Sequence, residues 1–488
     1  MLLSLALISL AIVGLVSSTP APRQELSLLT KYGLPSNPFG ATAFSFLYGE
    51  PLLYYAQEFN GSTGLIKMGT NNYTVSNGGY LSNASFNQVT HPNVDTLYAL
   101  AVIDLSENDV EIHFPPYQMD RVVIVDFWDP YGTCYNSLSS IRASDPGTYL
   151  LRPNLQRGPF PPSPCNSSYQ ACIDSPTMDG TMAVRVEVKN NGTDEAYARS
   201  YINDFTVAPV NLHSSKMAPL KPADCAVYSK NTTVMILQLL ARLADRNPPW
   251  TSLYANQVPE ILKLAGISNG TYTQPTGVNL QEAYSYINGS IYNYSTTNAS
   301  VTPQNNGWHI INPKSQAAFE NGTDLAGRNF WGRGLYLATL PREAVYPMPS
   351  SNSFVLQQNE SLLVTFSAKP HIGDPGFWSL TAYDAAGYLV SNPLSIYEVG
   401  DRSNLTYSDG TPLYPDGLNS SSSHPDGHFQ ILMQPYNVRP PTNWTNNWLP
   451  TPPNATMFTL TFRVYNALDT MKNGSYQYPI LTQQAAII

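Results

Sequence analysis

A histidine, an asparagine, an aspartate and a tyrosine crowd into the segment HPNVDTLYAL, as His91, Asn93, Asp95 and Tyr98. In a site, Asp95 would act as a carboxylate base or ligand, His91 as its proton partner, and Asn93 and Tyr98 as orienting donors. In a hydrogen-bonded corner, Asp95 would instead accept from backbone N–H groups, as Asp and Asn do in turns, and Pro92 already marks a turn. A second group lies in RVVIVDFWDPYG, with Arg121, Asp126, Trp128, Asp129 and Tyr131. An aspartate inside an apolar run is costly unless paired. Arg121 is five positions from Asp126 and so would lie on the opposite face of a strand. Asp126 therefore needs another partner: Arg142, Arg185, or a pocket shared with Asp95 in which two carboxylates divide acid and base roles. Arg121, Trp128 and Tyr131 are candidate ligand contacts beside it.

Further along, Trp378, Tyr383, Trp444 and Trp448 either belong to a core or form an aromatic platform for sugar rings or other flat ligands. Asn392, Asp401 and Arg402 would add polar contacts. HPDGH places His424 and His428 around Asp426, but Pro425 and Gly427 exclude the helix on which a His-x3-His pair binds zinc. No metal site is expected. No cofactor is expected either, since no cofactor signature is visible; the lack of a Gly-Lys-Ser/Thr phosphate loop and of a Gly-x-Ser-x-Gly elbow argues against an NTPase or an ordinary α/β-hydrolase.

The elements around these residues read as β, then α, then β. VEIHF, RVVIVDFW and TMAVRVEV are strand-like; in the last, Met182, Val184, Val186 and Val188 alternate with Arg185 and Glu187. RVVIVDFW is almost continuously apolar, as for a strand buried on both faces. NTTVMILQLLARLADRNPP reads as a helix capped by Thr232 or Thr233 and stopped by Pro248 and Pro249. YANQVPEILKLAGI, LQEAYSYINGSIY and DLAGRNFWGRGLYLATL continue the helical section. Strands return with SLLVTFSA, GFWSLTAYD, HFQILMQ and MFTLTFRVYN; the last alternates Phe458, Leu460, Phe462 and Val464 against Thr459, Thr461, Arg463 and Tyr465. The expected class is mainly β with a helical middle: two antiparallel β-sandwich or jelly-roll-like domains joined by helices. Boundaries are expected at 19–200, 201–340 and 341–488, after a signal peptide over 1–18.

The 488 residues exceed what one core usually holds. Only 12% are charged and the net charge is −9, which argues against nucleic acid or an anionic membrane as partner. Leu2–Val16 is too short to span a bilayer comfortably and precedes small residues, so cleavage near Ser18 and a secreted product are expected, with no membrane association afterwards. Asn-x-Ser/Thr sequons begin at Asn60, Asn72, Asn83, Asn166, Asn191, Asn231, Asn269, Asn288, Asn293, Asn298, Asn321, Asn359, Asn404, Asn419, Asn443, Asn454 and Asn473. That density behind a leader indicates a heavily glycosylated exported chain. Four cysteines suggest two disulfides: Cys165 with Cys172 across a short loop, and Cys134 with Cys225 by elimination.

HPNVDTLYALAVIDLSENDVEIHFP, RVVIVDFWDPYG and the helix ending RLADRNPP resemble the family of domain of unknown function 1254. REAVYP, GFWSLTAYD, LVSNPLSIYEVGDRSNLTYSDG, NWLPTP and FTLTFRVYN resemble its C-terminal companion, domain of unknown function 1214. The resemblance implies two β-sandwich domains joined by a helical segment and supplies no reaction. Its form is Asn-x-Asp-Thr with a Tyr, which Asn93, Asp95, Thr96 and Tyr98 carry and His91 does not. The expectation is a secreted glycoprotein with a small-molecule or carbohydrate ligand. One reading is a cofactor-independent, hydrolase-like acid–base enzyme with a polar pocket around Asp95. The alternative is a non-catalytic binder of carbohydrate or cell-wall polymer. The sequence does not set the oligomeric state.

Overall fold

Period-two alternation decides how the first domain is built. In the computed structural model, which describes residues 26–60, 69–85, 91–154, 164–189, 192–212, 217–227, 229–415 and 427–488, the strands are as follows. They are β1 (Thr74–Val75), β2 (Thr96–Asp104), β3 (Asn108–Phe114), β4 (Val123–Trp128), β5 (Cys134–Ser139), β6 (Gly147–Pro153), β7 (Ala171–Ser175), β8 (Asp179–Glu187) and β9 (Thr206–Leu212). They form two sheets, ordered β1-β2-β8-β4-β5 and β7-β6-β3-β9. Pairing is antiparallel except between β6 and β7. Leu97, Ala99, Ala101 and Ile103 of β2, with Met182, Val184 and Val186 of β8, face the second sheet's Val110, Ile112 and Leu151 in one core.

The opposite face of the first sheet is covered as well. Leu100, Val102, Trp128 and Ala183 enter a second core made largely of helices. These are α1 (Pro38–Gly49), α2 (Leu52–Asn60), α3 (Thr232–Leu243), α4 (Gln257–Leu264), α5 (Leu280–Ser295) and α6 (Leu325–Leu335). Strand β4 reads as an unbroken apolar run because Trp128 enters this core while Ile124 packs against Ala344, Phe377 and Tyr465. Helix α1 starts where Pro38 follows Asn37, whose side chain accepts from the Gly40 amide at 3.0 Å. Helix α3 is capped by Asn231, not by Thr232 or Thr233, and ends at Leu243, short of the prolines. Asn231 wins because its side chain sits one residue outside the first turn and reaches the Thr233 amide at 3.1 Å.

The second domain repeats the sandwich. Its strands are β10 (Ala344–Val345), β11 (Glu360–Phe366), β12 (Ile372–Asp384), β13 (Glu398–Gly400), β14 (Phe429–Pro435), β15 (Trp448–Thr451), β16 (Met457–Ala467) and β17 (Ile480–Ala485). One sheet runs β10-β16-β12-β13 and the other β15-β14-β11-β17. Phe458, Leu460, Phe462 and Val464 of β16 point into the core against Val364, Phe366 and Ile431. Thr459, Thr461, Arg463 and Tyr465 therefore occupy the other face, which turns toward the first domain. Among the described residues no helix is long and apolar enough to cross a membrane.

Cys165 and Cys172 form a disulfide. The expected Cys134–Cys225 bond is absent: both cysteines are free and buried. Each packs as a small apolar side chain in the helical core, which pairing by elimination ignores. Burial raises both thiols, Cys225 to about 12, so neither is a ready thiolate. We expect the folded chain to resist alkylation and the denatured, unreduced chain to take up two maleimides, counted by intact mass; none after unfolding would mean a second disulfide.

The leader over 1–18, Asn191, Asn419, His424 and the side chain of Asn60 lie outside the described residues. Every other sequon asparagine is exposed except Asn288, which is half-buried.

Candidate functional site

The segment His91–Asp95 is an interdomain joint. Asn93 Oδ1 accepts from the Asp95 amide at 2.7 Å, which closes the turn. Asn93 Nδ2 then donates to the Tyr465 hydroxyl at 2.8 Å. The Tyr383 hydroxyl donates to the Pro92 carbonyl at 2.7 Å, and Arg463 donates to the His91 carbonyl at 3.0 Å. Asp95 is fully buried. One of its oxygens is held by Arg402 and the other accepts from Ser379 Oγ at 2.6 Å. Arg402 also donates to the Val188 carbonyl at 2.9 Å. The turn and the site readings of this stretch thus meet: it is a corner, and the corner grips the second domain. A further tie runs from Glu343 to Ser139 Oγ at 2.7 Å.

Beside the joint lies a cavity of about 450 Å³ between the domains and under α6. Asn93 and Tyr98 line it, together with His91, Arg185, Tyr346, Arg463 and Tyr465. The segment Gly332–Ala338 forms another wall. Leu337 in that wall has φ 61°, a left-handed conformation unusual for a leucine. It is held there because its carbonyl accepts from Arg185 at 2.7 Å, while the next carbonyl, of Ala338, accepts from Trp128 Nε1 at 2.9 Å. Arg185 lies across from Tyr98 in the β2–β8 register, its guanidinium 5.4 Å from that ring and 5.3 Å from the Trp128 ring.

The charges are asymmetric. Among the described residues no carboxylate lines the cavity, whereas Arg185, Arg333 and Arg463 do. Arg185 is paired with buried Asp126, and Arg333 with Glu50 at 2.8 Å. Arg463 is 4% exposed and has no carboxylate within ion-pair distance among the described residues. Its bonds go to neutral oxygens: Tyr383 Oη at 2.6 Å, the His91 carbonyl and Thr381 Oγ1 at 3.2 Å. The field of Asp95 reaches it, but the oxygens of Asp95 are committed to Arg402 and Ser379. Burial, reinforced by Arg463, lowers His91 to about 4, so its ring is neutral at physiological pH, and its Nδ1 has no partner. Burial raises the Tyr465 hydroxyl, and Tyr346 and Tyr98 beside it push the same way. The wall therefore presents neutral tyrosine O–H donors and one unmatched cation.

Several candidate residues sit elsewhere. Asp95 does not face the cavity, and a neutral His91 bonded through its backbone is not its proton partner. Asp126 is held by Arg185 rather than Arg142, is raised by burial, and shares no pocket with Asp95. Arg121 bonds the Glu187 carbonyl and Asp194, both at 2.5 Å, away from the cavity. Tyr131 donates to the Asn247 carbonyl at 3.1 Å inside the helical core. Trp128 backs Arg185 from the core without lining the cavity. Trp378 and Tyr383 are fully buried and Trp448 is 3% exposed, so they form no exposed platform. His428 is exposed, and no cluster of potential metal ligands occurs among the described residues. Arg463, Tyr465 and Tyr346 do not stand out in the sequence; for Arg463 and Tyr465 the available signal is the polar half of the β16 alternation.

Residues 74–209 match the protein family of unknown function DUF1254, and residues 343–469 match the protein family of unknown function DUF1214. No curated protein matches the chain significantly. The crystal structure of the VPA0106 protein from Vibrio parahaemolyticus is similar over 92% of this chain and 100% of its own, at 16% identity and a TM-score of 0.57. An uncharacterized protein from Burkholderia cenocepacia aligns over 94% of this chain and 93% of its own, at 10% identity and a TM-score of 0.42. The first likeness shows a shared fold. The chain thus carries an N-terminal DUF1254 region and a C-terminal DUF1214 region, both of unknown function.

Proposed function

We propose that the chain is an exported glycoprotein that binds a small, ring-bearing organic anion in the interdomain cavity. The observation that carries this reading is Arg463. A guanidinium stays protonated at any physiological pH, and burying it among neutral groups costs several kcal/mol unless an anion answers it. A ligand carboxylate or phosphate placed among Arg463 and the tyrosine hydroxyls would receive charge-assisted hydrogen bonds. The surrounding tyrosine rings suit a flat, partly apolar body. The leader-like start and the exposed sequons support export. An acid–base reaction led by Asp95 is not carried forward, because that carboxylate is shielded behind the joint; any turnover of the bound anion would fall to the cavity hydroxyls, Tyr98 foremost.

The test is a matched pair of probes, benzoate and benzamide, read by thermal shift and calorimetry. Benzoate should stabilise the wild type, by about 2.7 kcal/mol at about 100 times its Kd, and benzamide should not. Arg463→Gln should abolish the difference. Equal responses to the charged and neutral probes would overturn the proposal.

A further inference from the structure

A second, more open groove of about 630 Å³, also between the domains, adjoins the first cavity at Tyr80 and Ser82. Two sequon asparagines line it, Asn83 from the first domain and Asn404 from the second. Both are exposed. A third sequon, at Asn443, contributes Thr445 to the same groove. By contrast, among the described residues no sequon asparagine lines the anion cavity. Asn83 Oδ1 is occupied by the Ser85 amide at 2.8 Å, which leaves its amide nitrogen for attachment.

The groove wall has unmet hydrogen-bonding capacity of both signs. Among the described residues, Glu398 Oε2 and Arg402 Nε are buried atoms without partners; the guanidinium N–H donates, and the carboxyl accepts or, while it holds its proton, donates. Hydroxyl groups answer either kind, since a hydroxyl both donates and accepts. Half-buried Tyr397 adds aromatic surface beside them. Hydroxyls on a ring with apolar faces are the chemistry of a saccharide.

We propose that this groove is a saccharide-binding surface occupied by the chain's own N-linked glycan at Asn404, with the glycan of Asn83 closing over it from the facing domain. Attachment transfers an oligosaccharide from a polyprenyl-diphosphate donor: its C1 bonds to Asn404 Nδ2, the diphosphate leaves with its lipid, and the displaced amide proton passes to solvent. Covalent tethering then supplies a high effective concentration, so weak sugar contacts suffice to fill the groove. Filling it braces the two domains across the face that the joint leaves open.

The experiment uses the full chain secreted from a eukaryotic host. Native protein is treated with an N-glycosidase, and release is followed site by site by peptide mass spectrometry. Asn404 should be occupied, and its glycan should survive digestion that strips Asn359 and Asn473. Glu398→Ala should leave the sequon filled but speed release, and Asn404→Gln should cost amide-exchange protection around Leu81 and Val399, in both domains. An empty Asn404, release at the rate of Asn359, or Glu398→Ala release unchanged from wild type would each overturn the proposal.

Discussion

Replacing Asp95 with alanine is expected to cost the fold about 3–5 kcal/mol, the range for leaving one partner of a buried ion pair alone. Arg402 is the partner left behind; its side chain is 10% exposed, and Asp95 is the carboxylate bonded to it. Ser379 loses its acceptor in the same change. The loss should be largest near pH 6. Above about pH 8, Glu398 and Asp401 beside Arg402 can ionise and take over part of its charge. Urea unfolding of Asp95→Ala, Arg402→Ala and the double variant measures this directly, and the double variant should be less damaged than the sum of the singles. A stable Asp95 variant, with an unchanged midpoint across pH, would instead make Asp95 a catalytic candidate again.

The second large effect is a loss of stability as pH rises through neutrality. Burial pushes Glu398 up to about 7 and Asp401 up to about 8, and the neighbouring Arg402 only partly offsets it. A carboxylate raised in the folded state holds a proton that the unfolded chain has already released. Stability therefore falls with pH from the unfolded values near 4 up to these folded values. Burial lifts Asp129 to about 6 in the same sense. His91 opposes them: it is lowered to about 4, so the unfolded chain binds its proton first and stability rises between about pH 4 and 6.5. Above pH 6.5 His91 no longer contributes, and the two carboxylates near Arg402 lead the decline, with burial raising Asp126, Asp179, Glu187 and Glu343 in the same sense. The expected decline from pH 6.5 to 8 is about 2–3 kcal/mol, because each proton held only by the folded chain contributes a slope of about 1.4 kcal/mol per pH step of one. Denaturant midpoints across that window give the answer; a flat profile would mean that neither group keeps its proton in the fold. Asp401→Asn should flatten most of the slope.

Much of the fold is legible because alternation is a direct imprint of a sheet. The apolar halves of β8 and β16 read as core, and they are core. The polar halves are harder to read. Arg185, Arg463 and Tyr465 look like a solvated face in sequence, since nothing local says that two sheets will bury those faces against each other. Helix α1 escapes for a related reason. FGATAFSFLYG is buried almost all round, from Gly40 to Gly49, so it lacks the polar stripe that marks a helix. The aromatic residues mislead in the opposite direction: Trp378 and Tyr383 are core by position, and their ring chemistry draws attention that belongs to the plainer Tyr346. The cysteine count suggests completeness where only one bond exists, because an apolar core can keep a thiol without oxidising it.

The cavity wall belongs to neither domain alone. Tyr98 and Arg185 come from the first, Tyr346, Arg463 and Tyr465 from the second, and the corner at His91–Asp95 rivets them together. Occupancy and domain apposition are then reciprocal quantities: whatever a guest gains from the closed pair, it returns as adhesion between the halves. A mutation that loosens the rivet would weaken a guest it never touches, and a guest would mend the rivet without contacting Asp95.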